Sequence, residues 1–264
     1  MIAPNGTGRL LGTGTPAKPA TWLGMALALT ANELRLAARR GESLLVTFVI
    51  PAGVLLVFSA FDLTGGSGTG KPIDRMLPGA IALAVIAASM VSLAIATGYE
   101  RSYGVIKRLG GSPAGSSAVV ASKTIAVIVV EAIQVVLLLA LAVLLGWTAG
   151  PGVSLPLVAA GLVAGTMAFA GFGLLMAGAL RAEATLALAN LLFLLSLVLG
   201  GIVLPLDRLP GAVATLASAL PPATLTKVLS IGLGGPGDAT EPLILLTAWA
   251  VGFAVLAARR FRWD

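Results

Sequence analysis

Residue types that carry out covalent chemistry are scarce in this chain. Its 264 residues include no cysteine and no histidine. Without cysteine there are no disulfides, thiolate nucleophiles or iron–sulfur ligands, and without histidine there is no histidine-ligated metal and no Ser–His catalytic pair. We therefore predict that the chain is not an enzyme, and that it has no catalytic residue, no metal site and no cofactor of its own.

One glycine-rich segment imitates a nucleotide-binding loop. Residues 65–71 read Gly-Gly-Ser-Gly-Thr-Gly-Lys and fit the first seven positions of the P-loop pattern. The eighth position is Pro72, which lacks the hydroxyl that a P-loop offers to magnesium, and no strand precedes the segment. We interpret the segment as a flexible external turn.

The segment from Glu100 to Pro113 is the part of the chain most suited to recognition. It combines charged side chains with apolar ones and ends in glycines and a proline, which stop helices. The charged residues are Glu100, Arg101, Lys107 and Arg108, and the apolar ones are Tyr103, Val105, Ile106 and Leu109. A loop surrounded only by water has no use for these apolar side chains, so the segment is predicted to dock on a partner protein.

Glu131 is the only ionisable residue deep within an apolar stretch, and Gln134 follows it on the same face of a helix. A charged side chain at the membrane centre costs about 2.5–3.5 kcal/mol, so it should face protein or water. Two interpretations stay open. Glu131 is either a polar feature of a transport pathway or proton site, or a protonated or paired structural residue with Thr166, Ser196 or Asn190 as candidate partners.

The elements that position these residues are apolar helices. Apolar residues make up 58% of the chain and charged residues 11%, and the mean hydropathy is +1.01. Soluble domains are about 45–50% apolar and about 25% charged. This composition excludes a soluble enzyme and a disordered protein. It also excludes a nucleic-acid binder, because the 17 basic residues are scattered rather than clustered. The predicted fold class is an all-α membrane protein.

Six stretches have the length and apolarity of membrane spans. They are Leu44–Phe61, Leu77–Thr97, Thr124–Leu145, Leu155–Leu180, Ala184–Leu204 and Leu243–Ala258. Gly161 and Gly165 form a G-x-x-x-G pair, which favours close helix packing within one subunit. Two short helices are predicted near 210–220 and 222–233, either dipping back into the outer leaflet or lying as a hairpin on the outer surface.

Loop charge predicts the orientation of these spans. With the N-terminus inside, 13 basic residues fall on the cytoplasmic side and 4 on the outer side. Both termini are therefore expected in the cytoplasm of a multi-pass plasma (inner) membrane protein. The predicted organisation is a disordered cytoplasmic tail over 1–20, an amphipathic interfacial helix over 21–43 and a six-span domain over 44–264. The alternative for 21–43 is a basic flank that only sets the topology.

The segment after the second span resembles a loop of ABC-2 type transporter permeases. The family pattern is Glu, a basic residue, two variable positions, Gly, a basic–Leu pair and a small–Pro pair. Here these positions are Glu100, Arg101, Gly104, Arg108 with Leu109, and Ser112 with Pro113. The resemblance covers nearly the whole chain beyond residue 20, including Pro51 in the first span and the Leu-Pro sequences between spans five and six.

This resemblance implies a mechanism and partners. In such permeases the loop is a coupling helix in a groove of a cytosolic ABC ATPase, which holds the ATP and magnesium. Glu100 would anchor the helix, through backbone amides or an ATPase arginine, while Tyr103 and Ile106 fill the groove. A second permease, identical or related, and membrane lipid are the other implied partners, and no nucleic acid is expected.

The expected function is export of a hydrophobic drug-like or lipid-like compound. In the family, spans one, two and five line the route, which here points to Phe48, Leu56, Phe193 and Ser196. The alternatives are a proton-coupled secondary carrier that uses Glu131 and a membrane scaffold that transports nothing. No inverted repeat is visible in the sequence, which disfavours the carrier.

Overall fold

The computed structural model describes residues 21–39, 41–61, 71–111 and 115–260, and within these ranges the chain forms helices and no strand. The predicted tail over 1–20, the glycine-rich residues 65–70 and the pair Ser112–Pro113 lie outside the described residues. The predicted all-helical fold class is confirmed for the described part.

Eleven α-helices occur in the described part of the chain. They are α1 (Trp22–Arg39), α2 (Gly41–Phe61), α3 (Pro72–Val85), α4 (Leu93–Ser102), α5 (Val105–Gly110), α6 (Gly115–Leu144), α7 (Leu155–Ala179), α8 (Ala182–Leu199), α9 (Gly211–Ser218), α10 (Pro221–Gly232) and α11 (Thr240–Arg260). A π-helical stretch, Ile86–Ser92, joins α3 to α4, and a 3₁₀ turn, Leu206–Arg208, precedes α9.

Five helices are long and apolar enough to cross a membrane: the continuous helix Pro72–Ser102, α6, α7, α8 and α11. Helix α2 is apolar over the shorter range Thr47–Phe61. Helices α9 and α10 together also have the apolarity of a span, but they meet at a bend of 72°. These two are the short helices predicted from the sequence, and their existence is confirmed.

Several predicted boundaries were wrong. The second span begins at Pro72 rather than Leu77, because proline suits the first turn of a helix and Asp74 accepts the Lys71 N–H at 3.2 Å. The fifth predicted span corresponds to α8, which ends at Leu199 rather than Leu204. The chain turns there at Gly200 and Gly201, and Gly201 has φ +66°. Apolarity marks the part of a helix that lipid or protein surrounds, whereas hydrogen bonding fixes its ends.

The continuous helix Pro72–Ser102 forms the centre of the bundle. Its most apolar window is 78% buried, against 28% for the corresponding windows of α6 and α8. Helices α2, α6, α7, α8 and α10 all contact it. The exposed faces of α6 and α8 are also apolar, which is the arrangement expected where lipid replaces water around a protein.

The glycine pair on α7 packs within the chain, as predicted. A Cβ at Gly161 would lie 2.8 Å from Val228 Cγ1, and a Cβ at Gly165 would lie 2.9 Å from Leu225 Cδ1. Both contacts are with α10, so these two glycines, which have no side chain, let α10 approach α7 closely.

Helix α1 lies against α6 through one face. Ala26 and Thr30 are buried, and the Trp22 indole N–H donates to Ser117 Oγ at 3.2 Å. Trp22, Leu23 and Leu27 remain about half exposed. A helix is present over Trp22–Arg39, and α2 begins at Gly41, so the helix is shorter than the predicted range 21–43. Its amphipathic role and its position at a membrane interface stay predictions.

Candidate coupling site

The predicted recognition segment begins with a sharp turn between two helices. Helix α4 ends at Ser102, and α5 begins at Val105. Gly104, between them, has φ +68°, a conformation that residues with a Cβ rarely adopt. No atom lies within 4 Å of the position that a Cβ would occupy there. Glycine is therefore required by the backbone conformation and not by crowding.

Glu100, in the last turn of α4, forms a buried ion pair with Lys123 of α6. The Lys123 ammonium donates to Glu100 Oε2 at 2.5 Å and to Glu33 Oε1 on α1 at 2.8 Å. The Lys123 side chain is 4% exposed, and those of Glu100 and Glu33 are 11% and 19% exposed. One cation thus joins α4, α6 and α1 at the base of the turn.

Arg101 fastens the same turn to a different helix. Its guanidinium donates to the Gly178 carbonyl at 2.6 Å and to the Leu180 carbonyl at 2.5 Å. These carbonyls lie at the C-terminal end of α7, where a helix has unsatisfied acceptors and a negative dipole end. The arginine therefore acts as a C-terminal cap for α7 and ties it to α4.

The outward face of the turn carries Tyr103, Lys107 and Arg108. All three are exposed, and Tyr103 is 71% exposed. The Tyr103 ring lies 6.3 Å from the ring of Tyr99, centroid to centroid. Arg108 donates to the carbonyls of Tyr103 and Gly104 at 3.2 and 3.3 Å, which stabilises the turn. This face is both apolar and basic.

Ile106 does not belong to that outward face. Its side chain is 1% exposed, because α5 packs on α4 and α6 and turns Ile106 inward. The expectation that Ile106 enters a groove of a partner is therefore corrected. In this structure its side chain packs inside the chain, where α5 contacts α4 and α6. Leu109 is half-buried beside it.

Glu131 lies buried on α6, opposite α7. The Thr166 hydroxyl donates to Glu131 Oε2 at 2.6 Å, so one of the three candidate partners is confirmed. The other two, Ser196 and Asn190, donate instead to carbonyls one turn back in their own helix. Among the described residues, Glu131 Oε1 has no hydrogen-bond partner.

The candidate route residues are not gathered at one place. Phe48 is half-buried and lines a cavity beside α2, whereas Leu56 is 40% exposed further along the same helix. Phe193 and Ser196 are buried on α8. Gln134 is 2% exposed and lines the same cavity as Phe48.

Sequence reasoning missed Lys123 and Glu33 as members of this site. Lys123 opens an apolar stretch and was counted only as an inner basic residue, and Glu33 follows the apolar half of α1. The usable signal was the helical spacing of Ala26, Thr30 and Glu33, which places the carboxylate on the face that packs on α6.

A family model described as "ABC-2 type transporter" matches residues 26–233, which include α2 through α10 and nearly all of α1. No curated protein matches the chain.

Proposed function

The chain belongs to the ABC-2 type transporter family, and from that premise we propose that it is the membrane subunit of an ATP-driven exporter. It pairs with a second permease, identical or related, and with two cytosolic ABC ATPases that bind and hydrolyse the ATP. Its proposed six spans in the plasma membrane are the five long apolar helices Pro72–Ser102, α6, α7, α8 and α11 and, as the sixth, the shorter apolar helix α2. Both termini lie in the cytoplasm, and α1 lies in the cytoplasmic interface.

The double fastening of the α4–α5 turn carries this proposal. A loop that receives force from a partner must move helices rather than bend by itself. Glu100 joins the turn to α6 and α1 through Lys123, and Arg101 joins it to the end of α7. A displacement of α5 would therefore reach four helices at once. A loop that only connects two spans has no need of such buried ties.

The outward face suits an ATPase groove with acidic walls and an apolar slot. Tyr103 is the apolar anchor, since large aromatic side chains dominate the energy of many interfaces. Lys107 and Arg108 flank it and favour an acidic partner surface.

The proposed cargo is a hydrophobic drug-like or lipid-like compound, moved outward. Three of the four candidate route residues, Phe48, Leu56 and Phe193, are apolar. The hydroxyl of the fourth, Ser196, already donates to the Leu192 carbonyl at 2.7 Å. These side chains offer few hydrogen bonds to a sugar chain, which favours an apolar cargo.

Two variants separate binding of the ATPase from transmission of force. Tyr103→Ala removes the exposed anchor, so the affinity of the chain for the ATPase should fall by about tenfold, and less ATPase should co-purify with it. Glu100→Gln keeps that surface but weakens the buried tie, so the ATPase should still bind while substrate-stimulated ATP hydrolysis and transport fall. Both are measured on the complex reconstituted in liposomes.

The matched control is Glu183→Gln, which removes an exposed carboxylate at the start of α8. It should behave like the unmodified chain in both assays. Full recruitment and full stimulated transport in Tyr103→Ala and Glu100→Gln alike would show that this turn is not the coupling element.

A second candidate function, a proton-coupled carrier, is favoured by one observation. The carboxyl of Glu131, on α6, is buried. Among the described residues, its Oε2 accepts a hydrogen bond from Thr166, and its Oε1 has no hydrogen-bond partner. In an exporter driven by ATP, Glu131→Gln should assemble and transport with little pH dependence, because the amide can keep the bond with Thr166. Loss of transport in a correctly assembled Glu131→Gln variant, with no loss in Thr166→Val, would favour the carrier.

A further inference from the structure

A π-helical stretch of seven residues, Ile86–Ser92, interrupts the helix at the centre of the bundle, between α3 and α4. At its end the Leu93 N–H donates to the Ala88 carbonyl, five residues back, and passes over the Ser89 carbonyl, which it would use in an α-helix. This wider spacing places one residue more between α3 and α4 than an α-helix would hold. Such stretches are rare, occur frequently at functional sites and are a known cause of helix bends.

The packing around this stretch leaves room on the side of α7. A Cβ at Gly173 would lie 3.0 Å from the Met90 carbonyl oxygen and 3.2 Å from that of Ser89, so a larger residue there would press on both carbonyls. Ser89 is fully buried, and its hydroxyl donates to the Val85 carbonyl at 2.5 Å. In an α-helix that carbonyl accepts the Ser89 N–H. The hydroxyl therefore competes with the α-helical bond, as serines that bend helices do.

The central helix is packed differently before and after this stretch. Residues 76–90 are all buried, whereas four residues over the next two turns are partly exposed: Val91, Ser92, Ile95 and Ala96. Helix α3 is therefore held by neighbours on every side, and α4 is open on part of its surface. Helix α4 is also the half that ends in the fastened α4–α5 turn. A force applied at the turn thus meets less resistance from packing in α4 than in α3.

We propose that Ile86–Ser92 is a joint at which α4 tilts against α3 when the α4–α5 turn is displaced. This inference rests on the proposed function, because it takes the turn as the place where the ATPase acts. Helix α3 stays in place, and α4 moves with the helices to which the turn is fastened. Those ties lead to α6, α1 and α7, whereas α8 only packs on α4. Helix α4 therefore moves relative to α8.

Two close contacts, one on each side of the joint, allow this motion to be followed with disulfides. On α4, a Cβ at Gly98 would lie 3.6 Å from Thr185 Cβ of α8. On α3, a Cβ at Gly79 would lie 3.5 Å from Ile202 Cβ. Both distances fall within the range of about 3.5–4.5 Å that a disulfide requires. The chain has no cysteine of its own, so each pair can be introduced alone.

A tilt at the joint should separate the α4 pair and leave the α3 pair together. Gly98 comes six residues after Ser92, which is about 9 Å along an α-helix. A tilt of about 20°, the size of a sharp kink, would move Gly98 by about 3 Å. That displacement takes its Cβ position out of disulfide range of Thr185. Gly79 lies on the other side of the joint and keeps its distance to Ile202.

The test compares Gly98→Cys/Thr185→Cys with Gly79→Cys/Ile202→Cys in the complex with the ATPase in liposomes. Each is oxidised without nucleotide and again after the ATPase is trapped with ATP and vanadate. Trapping should abolish cross-linking of the α4 pair and leave that of the α3 pair unchanged. Equal behaviour of the two pairs in both states would overturn the joint and leave the exporter proposal intact. If no ATPase co-purifies with the unmodified chain, the exporter proposal fails, and the joint fails with it.

Deletion of Ala88 removes the extra residue, so the stretch can close into an α-helix while α3 and α4 keep their packing faces. This variant should keep its thermal stability and recruit the ATPase but lose substrate-stimulated transport. The matched control is deletion of the exposed Ile133 from α6, which is α-helical and has no residue to spare, so its two parts should rotate against each other and stability should fall. Full stimulated transport after deletion of Ala88 would overturn the joint. If that variant does not assemble, the two cysteine pairs decide.

Discussion

Lys123 is shared by two carboxylates at a site with little access to water. Its ammonium contacts Glu33 and Glu100 at 2.8 and 2.5 Å, and its side chain is 4% exposed. An ion pair of this kind adds little to stability compared with an apolar replacement, but removal of one partner leaves a buried charge without compensation. At residue scale the role of Lys123 is therefore to hold three helices in one arrangement.

Lys123→Met should be strongly destabilising because it leaves two carboxylates facing each other without their cation. The expected loss is about 3–5 kcal/mol in the free energy of unfolding. It is measured as the fall in midpoint of thermal unfolding of the purified protein in mild detergent. The exposed control Lys107→Met should change stability by less than about 0.5 kcal/mol.

The compensated variant Lys123→Met/Glu33→Gln/Glu100→Gln tests the cause of that loss. It removes all three charges together, so it should recover much of the stability lost in Lys123→Met. If it is no more stable than Lys123→Met, lost packing around the lysine stem is responsible and the shared-cation account is wrong.

The sequence could identify which residues matter in this site, but of their partners it offered only Thr166, as one of three candidates for Glu131. The pattern from Glu100 to Leu109 pointed to the turn, and residue type pointed to Glu131 and Gln134. Their partners Lys123, Thr166 and Thr47 come from other helices, 23, 35 and 87 residues away. Such pairs depend on how helices pack, which local spacing does not encode.

At the scale of elements, the α4–α5 turn depends on one glycine, Gly104, which holds a left-handed backbone conformation. Gly104 sits at φ +68° between the two fastened residues of α4 and the amphipathic α5. The orientation of α5, and hence the position of Lys107 and Arg108 relative to Tyr103 at the end of α4, depends on this one backbone conformation. The turn is thus a place where a small backbone change should disturb recognition without disturbing the spans.

Gly104→Ala should cost roughly 1–2 kcal/mol, because a Cβ disfavours the left-handed conformation. Nothing lies within 4 Å of that Cβ, so the cost is conformational rather than steric. We expect weaker co-purification of the ATPase, measured together with thermal stability.

Gly211→Ala is the matched control, because Gly211 also has open space around its Cβ position but no positive φ. It should leave both quantities unchanged or raise stability slightly, since alanine restricts the unfolded chain. Equal behaviour of the two variants would contradict a role for the Gly104 backbone.

Element types followed from the sequence more readily than element details did. Apolar runs predicted the membrane helices and the two short helices before α11. The π-helical stretch Ile86–Ser92 was not foreseen, because its seven residues are ordinary apolar and small types. The stretch packs against neighbouring helices, including α7 and α8. A single sequence contains no signal for that arrangement.

At the scale of the whole molecule, the bent pair α9–α10 decides how many times the chain crosses the membrane. Val153, in the connection between α6 and α7, pairs as an antiparallel bridge with Leu233 at the end of α10, and the Ser154 N–H donates to the Gly232 carbonyl at 2.8 Å. The end of α10 therefore lies on the same side as that connection. The distribution of basic residues predicts that this is the outer side, where α8 also ends.

If α9 and α10 enter the membrane from the outer side and return to that side, Asp238 lies outside. Helix α11 then crosses the membrane, and Arg260 at its end lies inside. The chain has no cysteine, so Asp238→Cys and Arg260→Cys can each be labelled in intact cells with a membrane-impermeant maleimide. Asp238→Cys should react at once, and Arg260→Cys only after the cells are permeabilised. Gly150→Cys and Gly111→Cys, on exposed connections, fix the outer and inner sides independently. If Gly150→Cys reacts in intact cells while Asp238→Cys is protected and Arg260→Cys reacts, α9 and α10 form one broken span, and the outer re-entrant arrangement is wrong.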